Sequence, residues 1–168
     1  MIENEYLRLS TEKLQRSADR IEDCFRRLTY DQVWTRNAEN VNSAGNLVLH
    51  LCGNVRQWIG FGVGGKADIR DRDAEFAARS GSQPGQLIEQ MKSTVAEANG
   101  ILRNFDTAHL LDKVTIQNRE VTKLEAIYQV VEHFAQHTGQ IIFVTKMLTG
   151  EDLGYFKDLN PPRAARLP

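Results

Sequence analysis

The sequence has little of what marks a secreted or nucleic-acid-binding protein. Its two cysteines, Cys24 and Cys52, form neither a disulfide framework nor a zinc-ribbon spacing, which is typical of a reducing compartment. The formal net charge is -1, so no general basic surface is available for nucleic acid. We therefore expect a protein that does not bind nucleic acid.

Long apolar runs are also absent. The first ten residues, MIENEYLRLS, start with acidic residues and lack the apolar core of a signal peptide. No apolar run approaches the roughly 20 residues that cross a membrane. These absences predict a soluble, cytoplasmic protein. The length of 168 residues fits one domain with its own core, so we expect a single domain over residues 1–168.

Apolar residues recur at helical spacing in four segments, which predicts an all-α four-helix bundle. The first segment carries Leu14, Ala18, Ile21, Phe25 and Leu28. The second, SAGNLVLHLCGNVRQWIGF, begins after Ser43 as its predicted N-cap and is apolar on more than one side.

The third and fourth helices have start and stop signals of their own. Ser82 is the predicted N-cap of the third, with Pro84 in the first turn. Thr122 and Glu125 form a capping-box pattern at the start of the fourth, and Gly150 ends it.

The connections differ in character. Residues 62–81 are too many for a tight turn, which predicts a link that crosses over the bundle or lines a site. The segment DKVTIQNREVT predicts a small β-hairpin between helices three and four. We expect an irregular tail over about residues 150–168, where two adjacent prolines occur.

Two of the four histidines lie four residues apart in VVEHFAQHTGQIIF. His133 and His137 therefore project from one helix face, with Cβ atoms about 6 Å apart, and can reach one metal ion. His50, within the second helix, is the natural third ligand, whereas His109 follows the third helix and has no such setting. The alternative is a set of hydrogen-bonded core histidines without a metal.

Three neutral histidines would leave a coordination position open, as in catalytic zinc sites. Such a set does not distinguish strongly among the transition metals, and we expect Zn²⁺ or Ni²⁺. The tetrad HFAQH lacks the glutamate of a metalloprotease HExxH, so no catalytic residue beyond the ligands is identified. Amides near the ligands are predicted to orient ligands or substrate; these are Asn54, Gln129 and Gln140.

The charged segment RDRDAEF, residues 70–76, has two interpretations. Arg70 or Arg72 could bind an anionic substrate, or the segment could be a solvated charge run. Cys52 follows His50 by two residues, about 200° around the helix, and is predicted to be a small core residue that does not share the ion.

The order and spacing of NLVLHLCGNV, RDRDAEF and HFAQHTGQIIFVTKML resemble the DinB/YfiT-like family of metalloenzymes, in an uncharacterised bacterial branch. The resemblance covers nearly the whole chain. It implies an up-down-down-up bundle with a long crossover between helices two and three, and a homodimer. It also implies a divalent metal held by His50, His133 and His137.

Characterised members of this family include transferases and isomerases that use bacillithiol, mycothiol or glutathione, with the metal activating the thiol. The resemblance thus implies a divalent-metal-dependent enzyme, an S-transferase or isomerase whose substrate is not identified. The alternative is a non-catalytic dimeric metal-binding or stress-response module with a structural or vestigial site.

Overall fold

The computed structural model describes residues 1–157, and the last residues of the predicted tail, 158–168, lie outside the described part. The α-helices are α1 Ile2–Arg27, α2 Tyr30–Trp34, α3 Ala44–Val55, α4 Arg72–Ala77, α5 Pro84–Arg103 and α6 Lys123–Thr149. A π-helical segment, Arg56–Phe61, continues α3, and a 3₁₀ turn spans Thr107–His109. Two antiparallel strands, β1 Lys113–Ile116 and β2 Arg119–Thr122, form the small sheet.

The four long helices form a bundle in which α1 and α3 each pack against both α5 and α6. Helices α1 and α6 run parallel, because Tyr6 donates to the carbonyl of Leu124 at their starts and Arg27 pairs with Glu151 at their ends. Helices α3 and α5 also run parallel to each other, since the segment after α3 meets the end of α5 where Gly64 contacts Ile101. The predicted four-helix bundle is confirmed, and its directions are up-down-down-up.

The helix starts follow from capping chemistry, with one correction. The side chains of Ser43 and Thr122 accept the backbone N–H groups of the third residues of α3 and α6, as predicted. The predicted N-cap Ser82 of α5 is wrong by one residue. The cap is Gln83, whose backbone N–H donates to the Gln86 side chain at 2.8 Å. The carbonyl of Ser82 instead accepts from the Trp34 indole at 3.2 Å.

The crossover between α3 and α5 contains the short helix α4, which packs against α3. The crossover thus lines the bundle next to His50. The predicted hairpin is present and turns at Gln117 and Asn118, both with positive φ, as a two-residue hairpin turn of right-handed twist requires. Gly150 ends α6 in the left-handed conformation, as predicted.

A continuous apolar core fills the space between the four long helices. Its largest fully buried side chains come from each of them, among others Leu14, Leu51, Met91 and Phe134. No helix within residues 1–157 combines the length and apolarity that crossing a membrane requires.

Phe134 offers a test of this core, because it lies on α6 one residue after His133 and is 1% exposed. Substitution of Phe134 by alanine should lower the free energy of unfolding by about 3–5 kcal/mol through lost burial and an unfilled cavity. Phe143 on the same helix is 64% exposed, so Phe143→Ala is the matched control and should change stability by less than about 0.5 kcal/mol. Urea unfolding followed by circular dichroism measures both, and equal effects would contradict the burial argument.

Candidate metal centre

Three histidines meet between α3 and α6. Nε2 of His50 lies 2.8 Å from Nε2 of His133, and one ligand nitrogen from each of His50, His133 and His137 lies within 4.8 Å of the others. The rings of His133 and His137 are perpendicular, with centroids 4.4 Å apart. Within residues 1–157 no fourth histidine, cysteine or carboxylate joins this cluster.

The antiparallel packing of α3 against α6 produces the cluster. His133 and His137 are one turn apart on α6, so their side chains stack on the same face. His50 lies in the middle of α3 and approaches that face from the opposite helix. His50 is 5% exposed, whereas the other two are partly exposed, so the cluster opens to solvent on the α6 side.

The geometry fits a divalent ion. Tetrahedral ligation at about 2.0–2.1 Å places two imidazole nitrogens about 3.3 Å apart. The His50–His133 separation of 2.8 Å lies below that value, and all three ligand nitrogens lie within 4.8 Å of one another, so small side-chain rotations would bring them to one ion.

Two of the three histidines have their second nitrogen already oriented. Nδ1 of His50 lies 3.0 Å from Oε2 of Glu75, and Nδ1 of His137 lies 2.6 Å from Oε1 of Gln140. When each Nδ1–H donates to these oxygens, each Nε2 keeps its lone pair for a metal, which is the usual arrangement of metal-binding histidines. Nη2 of Arg70 also lies 3.0 Å from Nδ1 of His50, but its donation to Oε2 of Glu75 at 2.9 Å leaves Nδ1–H free to donate to the same carboxylate. The two oxygen acceptors therefore support a metal site over a plain core cluster.

Glu75 is held by a buried arginine. Arg70 donates to Glu75 twice, from Nε to Oε1 at 2.8 Å and from Nη2 to Oε2 at 2.9 Å. Its Nη1 donates to the side-chain oxygen of Gln57 at 3.0 Å. The side chains of Arg70 and Glu75 are 3% and 9% exposed, so this ion pair is screened little by water. The interpretation of RDRDAEF as a solvated run is therefore wrong for these two residues.

The π-helical segment helps to place this pair. Gln57, its second residue, donates to Asp68 at 2.8 Å and accepts from Gln117 at 2.7 Å, besides accepting from Arg70. The segment therefore connects the crossover and the β-hairpin to the end of α3. Single π turns inside α-helices often occur at functional sites, and this one begins six residues after His50.

Gly53 permits the close approach of Glu75 to α3. A Cβ atom added at Gly53 would overlap the Glu75 carboxylate and would lie 3.0 Å from Nε of Arg70. Gly53 therefore contributes to the site because its lack of a side chain leaves room for the Glu75 carboxylate.

Burial, more than the nearby charges, keeps His133 and His137 in the neutral form that can bind a cation. Burial, assisted by the neighbouring His137 and His50 and then by Arg70 and Arg72, lowers the pKa of His133 to about 4. Burial also lowers the pKa of His137, although its hydrogen bond to Gln140 opposes the shift. Both imidazoles are neutral near pH 7. Burial works to raise the pKa of Glu75, but hydrogen bonds from Arg70 and His50 outweigh it and lower this pKa, so the carboxylate stays charged.

The three predicted amides occupy different places. Gln140 contacts His137, as given above. Asn54 and Gln129 lie one turn beyond His50 and His133 on the facing helices. Their side-chain oxygens are buried without a hydrogen-bond partner among the described residues. Buried acceptors of this kind are normally satisfied by ordered water. Polar side chains therefore extend between the two helices for one helical turn beyond His50 and His133.

A groove of about 630 Å³ lies next to His137, between the start of α3 and the second half of α6. Amide side chains line it together with apolar ones such as Leu47 and Phe143, and no charged side chain takes part. The amides are Asn40, Asn42, Gln136 and Gln140. The groove has room for a small molecule beside the cluster.

The remaining candidates lie apart from the centre. His109 is exposed and pairs with Asp112 at 2.7 Å. Cys24 and Cys52 are buried, and burial raises the pKa of both thiols, that of Cys52 to about 11. Neither cysteine is therefore a thiolate near neutral pH.

Sequence reasoning missed the roles of Glu75 and Gly53. The spacing from His50 to Glu75 passes through an irregular crossover, so no period connects them. The one signal in the sequence was Glu75 itself, a glutamate in a short amphipathic segment of the long crossover.

Comparisons with known proteins agree with this fold. A family profile described as a protein of unknown function, DUF1572, matches residues 1–164. A conserved protein from Enterococcus faecalis superposes with a TM-score of 0.71 at 18% identity, covering 86% of this chain and 97% of its own. A DinB-like protein, YjoA, from Bacillus subtilis superposes with a TM-score of 0.66 at 16% identity, covering 86% and 94%. No curated protein matches the sequence. The predicted DinB-like fold is confirmed.

The contact at Gly53 gives a test of the site. Substitution of Gly53 by alanine should destabilise the protein by about 1–3 kcal/mol, because the buried Glu75–Arg70 pair must shift. Gly100 is also inside a long helix, but nothing lies within 4 Å of a Cβ placed there. Gly100→Ala is the control and should instead stabilise by about 0.5–1 kcal/mol. Denaturant unfolding measures both, and a stabilising Gly53→Ala would refute the close approach.

Proposed function

This chain belongs to the DUF1572 family, and we propose that it is a divalent-metal-dependent enzyme whose metal is held by His50, His133 and His137. The observation that carries the proposal is the set of three ligand nitrogens within 4.8 Å, two of whose imidazoles are already oriented by Glu75 and Gln140. A site designed only for packing does not need these two acceptors on the far side of the rings.

Three protein ligands support a catalytic site over a structural one. Structural zinc sites are normally closed by four protein ligands, whereas catalytic sites keep a position for water or substrate. Here the partly exposed side of His133 and His137 faces solvent beside the groove. A bound Zn²⁺ or Ni²⁺ ion would supply Lewis acidity and lower the pKa of a coordinated thiol or water.

The residues of the chain would bind and orient the substrate. The groove amides, Gln136 and Gln140 among them, can hydrogen-bond to neutral polar groups, and Phe143 and Leu47 can cover apolar ones. No carboxylate lies free beside the ligand nitrogens, since Glu75 is engaged by Arg70 and His50. The described residues therefore offer no carboxylate as a general base, and the metal itself would have to activate the nucleophile.

A thiol-dependent transfer or isomerisation is the reaction that this arrangement supports best. The chain has no thiolate of its own near neutral pH, because both cysteines are buried with raised pKa. A thiol nucleophile would therefore come from a small molecule such as bacillithiol, mycothiol or glutathione. The alternative is a non-catalytic homodimeric module in which the metal serves stability.

Metal uptake tests the ligand set. Purified protein with Co²⁺ should bind one ion per chain and show the visible absorption of a tetrahedral site. Substitution of His50, His133 or His137 by alanine should weaken binding by more than the roughly 10–100-fold that loss of an outer hydrogen bond causes. His109→Ala is the matched control and should bind as the wild type does. Unchanged binding in the first three variants would remove the metal site from consideration.

Thiol turnover separates the enzyme from the structural module. The metal-loaded protein should consume at least one of bacillithiol, mycothiol and glutathione in the presence of an electrophilic acceptor, and chelation should abolish this activity. Chelation should lower the melting temperature only modestly if the site is open and catalytic. Absence of turnover with all three thiols, together with a large fall in melting temperature on chelation, would favour the non-catalytic module.

A further inference from the structure

We propose that Arg72 is the anion-recognition residue of the histidine centre, so that the substrate or co-substrate presents a carboxylate beside the atom that the metal binds. This inference rests on the proposed function, because it assumes an ion held by the three histidines. It adds the chemical class of the ligand.

Arg72 stands on the face of α4 that is turned towards the cluster. Residues three and four apart share one face of a helix, so Arg72, Glu75 and Phe76 lie together. Glu75 contacts Nδ1 of His50 at 3.0 Å, and the ring of Phe76 packs against the His50 ring with centroids 4.7 Å apart. The same face therefore brings Arg72 to the edge of the site.

A cation–π contact holds the guanidinium there. The Cζ atom of Arg72 lies 5.1 Å from the centroid of the Phe76 ring. Phe76 thus contacts both the guanidinium and the His50 ring. The arginine side chain is exposed, so its donors point into water and are available to a ligand.

The charge of Arg72 is not cancelled by the surrounding protein. Arg70, two residues earlier, is neutralised by its bidentate pair with Glu75. Arg72 takes part in no salt bridge within residues 1–157, although two aspartates flank it. Asp71 accepts the backbone N–H of Ala74 at 2.9 Å, and Asp73 is turned about 100° away around α4.

The positive charge of Arg72 lies near the histidine centre, because its guanidinium contacts the Phe76 ring and that ring packs against His50. A divalent ion held by the three imidazoles would add to this positive charge, and no side chain that lines the groove beside it is charged. A ligand that binds the ion through one atom and carries a carboxylate a few bonds away would complement both charges, and guanidinium matches carboxylate geometry.

A pair of small thiols tests the assignment in the Co²⁺-substituted full-length protein. The probes are 3-mercaptopropionate and 3-mercaptopropionamide, which have the same thiol and length and differ in charge. Dissociation constants come from titration of the sulfur-to-cobalt charge-transfer absorption. The wild type should bind the carboxylate about fivefold more tightly than the amide, the value of one exposed ion pair. High salt should reduce this preference.

Arg72→Gln should abolish the preference by weakening only the carboxylate, with unchanged affinity for the amide. Arg103→Gln, which removes an exposed arginine at the far end of α5, is the matched control and should keep the preference. Equal affinities for the two thiols in the wild type, or an intact preference in Arg72→Gln, would overturn the role of Arg72 and leave the metal site standing. Absence of cobalt binding would overturn the proposed function and this inference together.

Discussion

The buried ion pair between Arg70 and Glu75 is the interaction on which the site depends. It brings two opposite charges out of water next to His50, which is costly unless every donor and acceptor is satisfied. Here Arg70 is satisfied by Glu75 and Gln57, and the remaining capacity of Glu75 is used by His50. The crossover, α3 and the π-helical segment are therefore joined at one point.

Several local features around the ion pair keep α4 in place. Gly53 lacks the Cβ that would collide with Glu75. The π turn places Gln57 where it meets Arg70, Asp68 and the hairpin residue Gln117. The side-chain amide of Asn46 holds the end of α4 through the carbonyls of Glu75 and Ala78, both at 2.9 Å. These contacts keep α4 against α3.

The position of α4 matters for recognition as well as for the metal ligands. Its Glu75 contacts Nδ1 of His50 and its Phe76 packs against the His50 ring, so the ring has little freedom to turn. Helix α4 also carries Arg72 to the edge of the opening. The ligands from α6 are more exposed; Gln140 on the same helix contacts His137, and His133 contacts His50. The site thus combines a fixed half from α3 and α4 with a more accessible half from α6.

The sequence by itself determined the bundle and the identity of the three histidines. Helical period and capping residues are local, so Ser43, Thr122 and Gly150 could be read directly, and an i, i+4 spacing fixes that His133 and His137 share a face. Only the tertiary structure decided that Glu75 and Arg70 are buried beside His50 while Arg72 is not. These three residues lie in one charged run, and whether each is buried or exposed depends on how the irregular crossover folds back on α3. That path is set by long-range contacts, which leave no periodic signal in the chain.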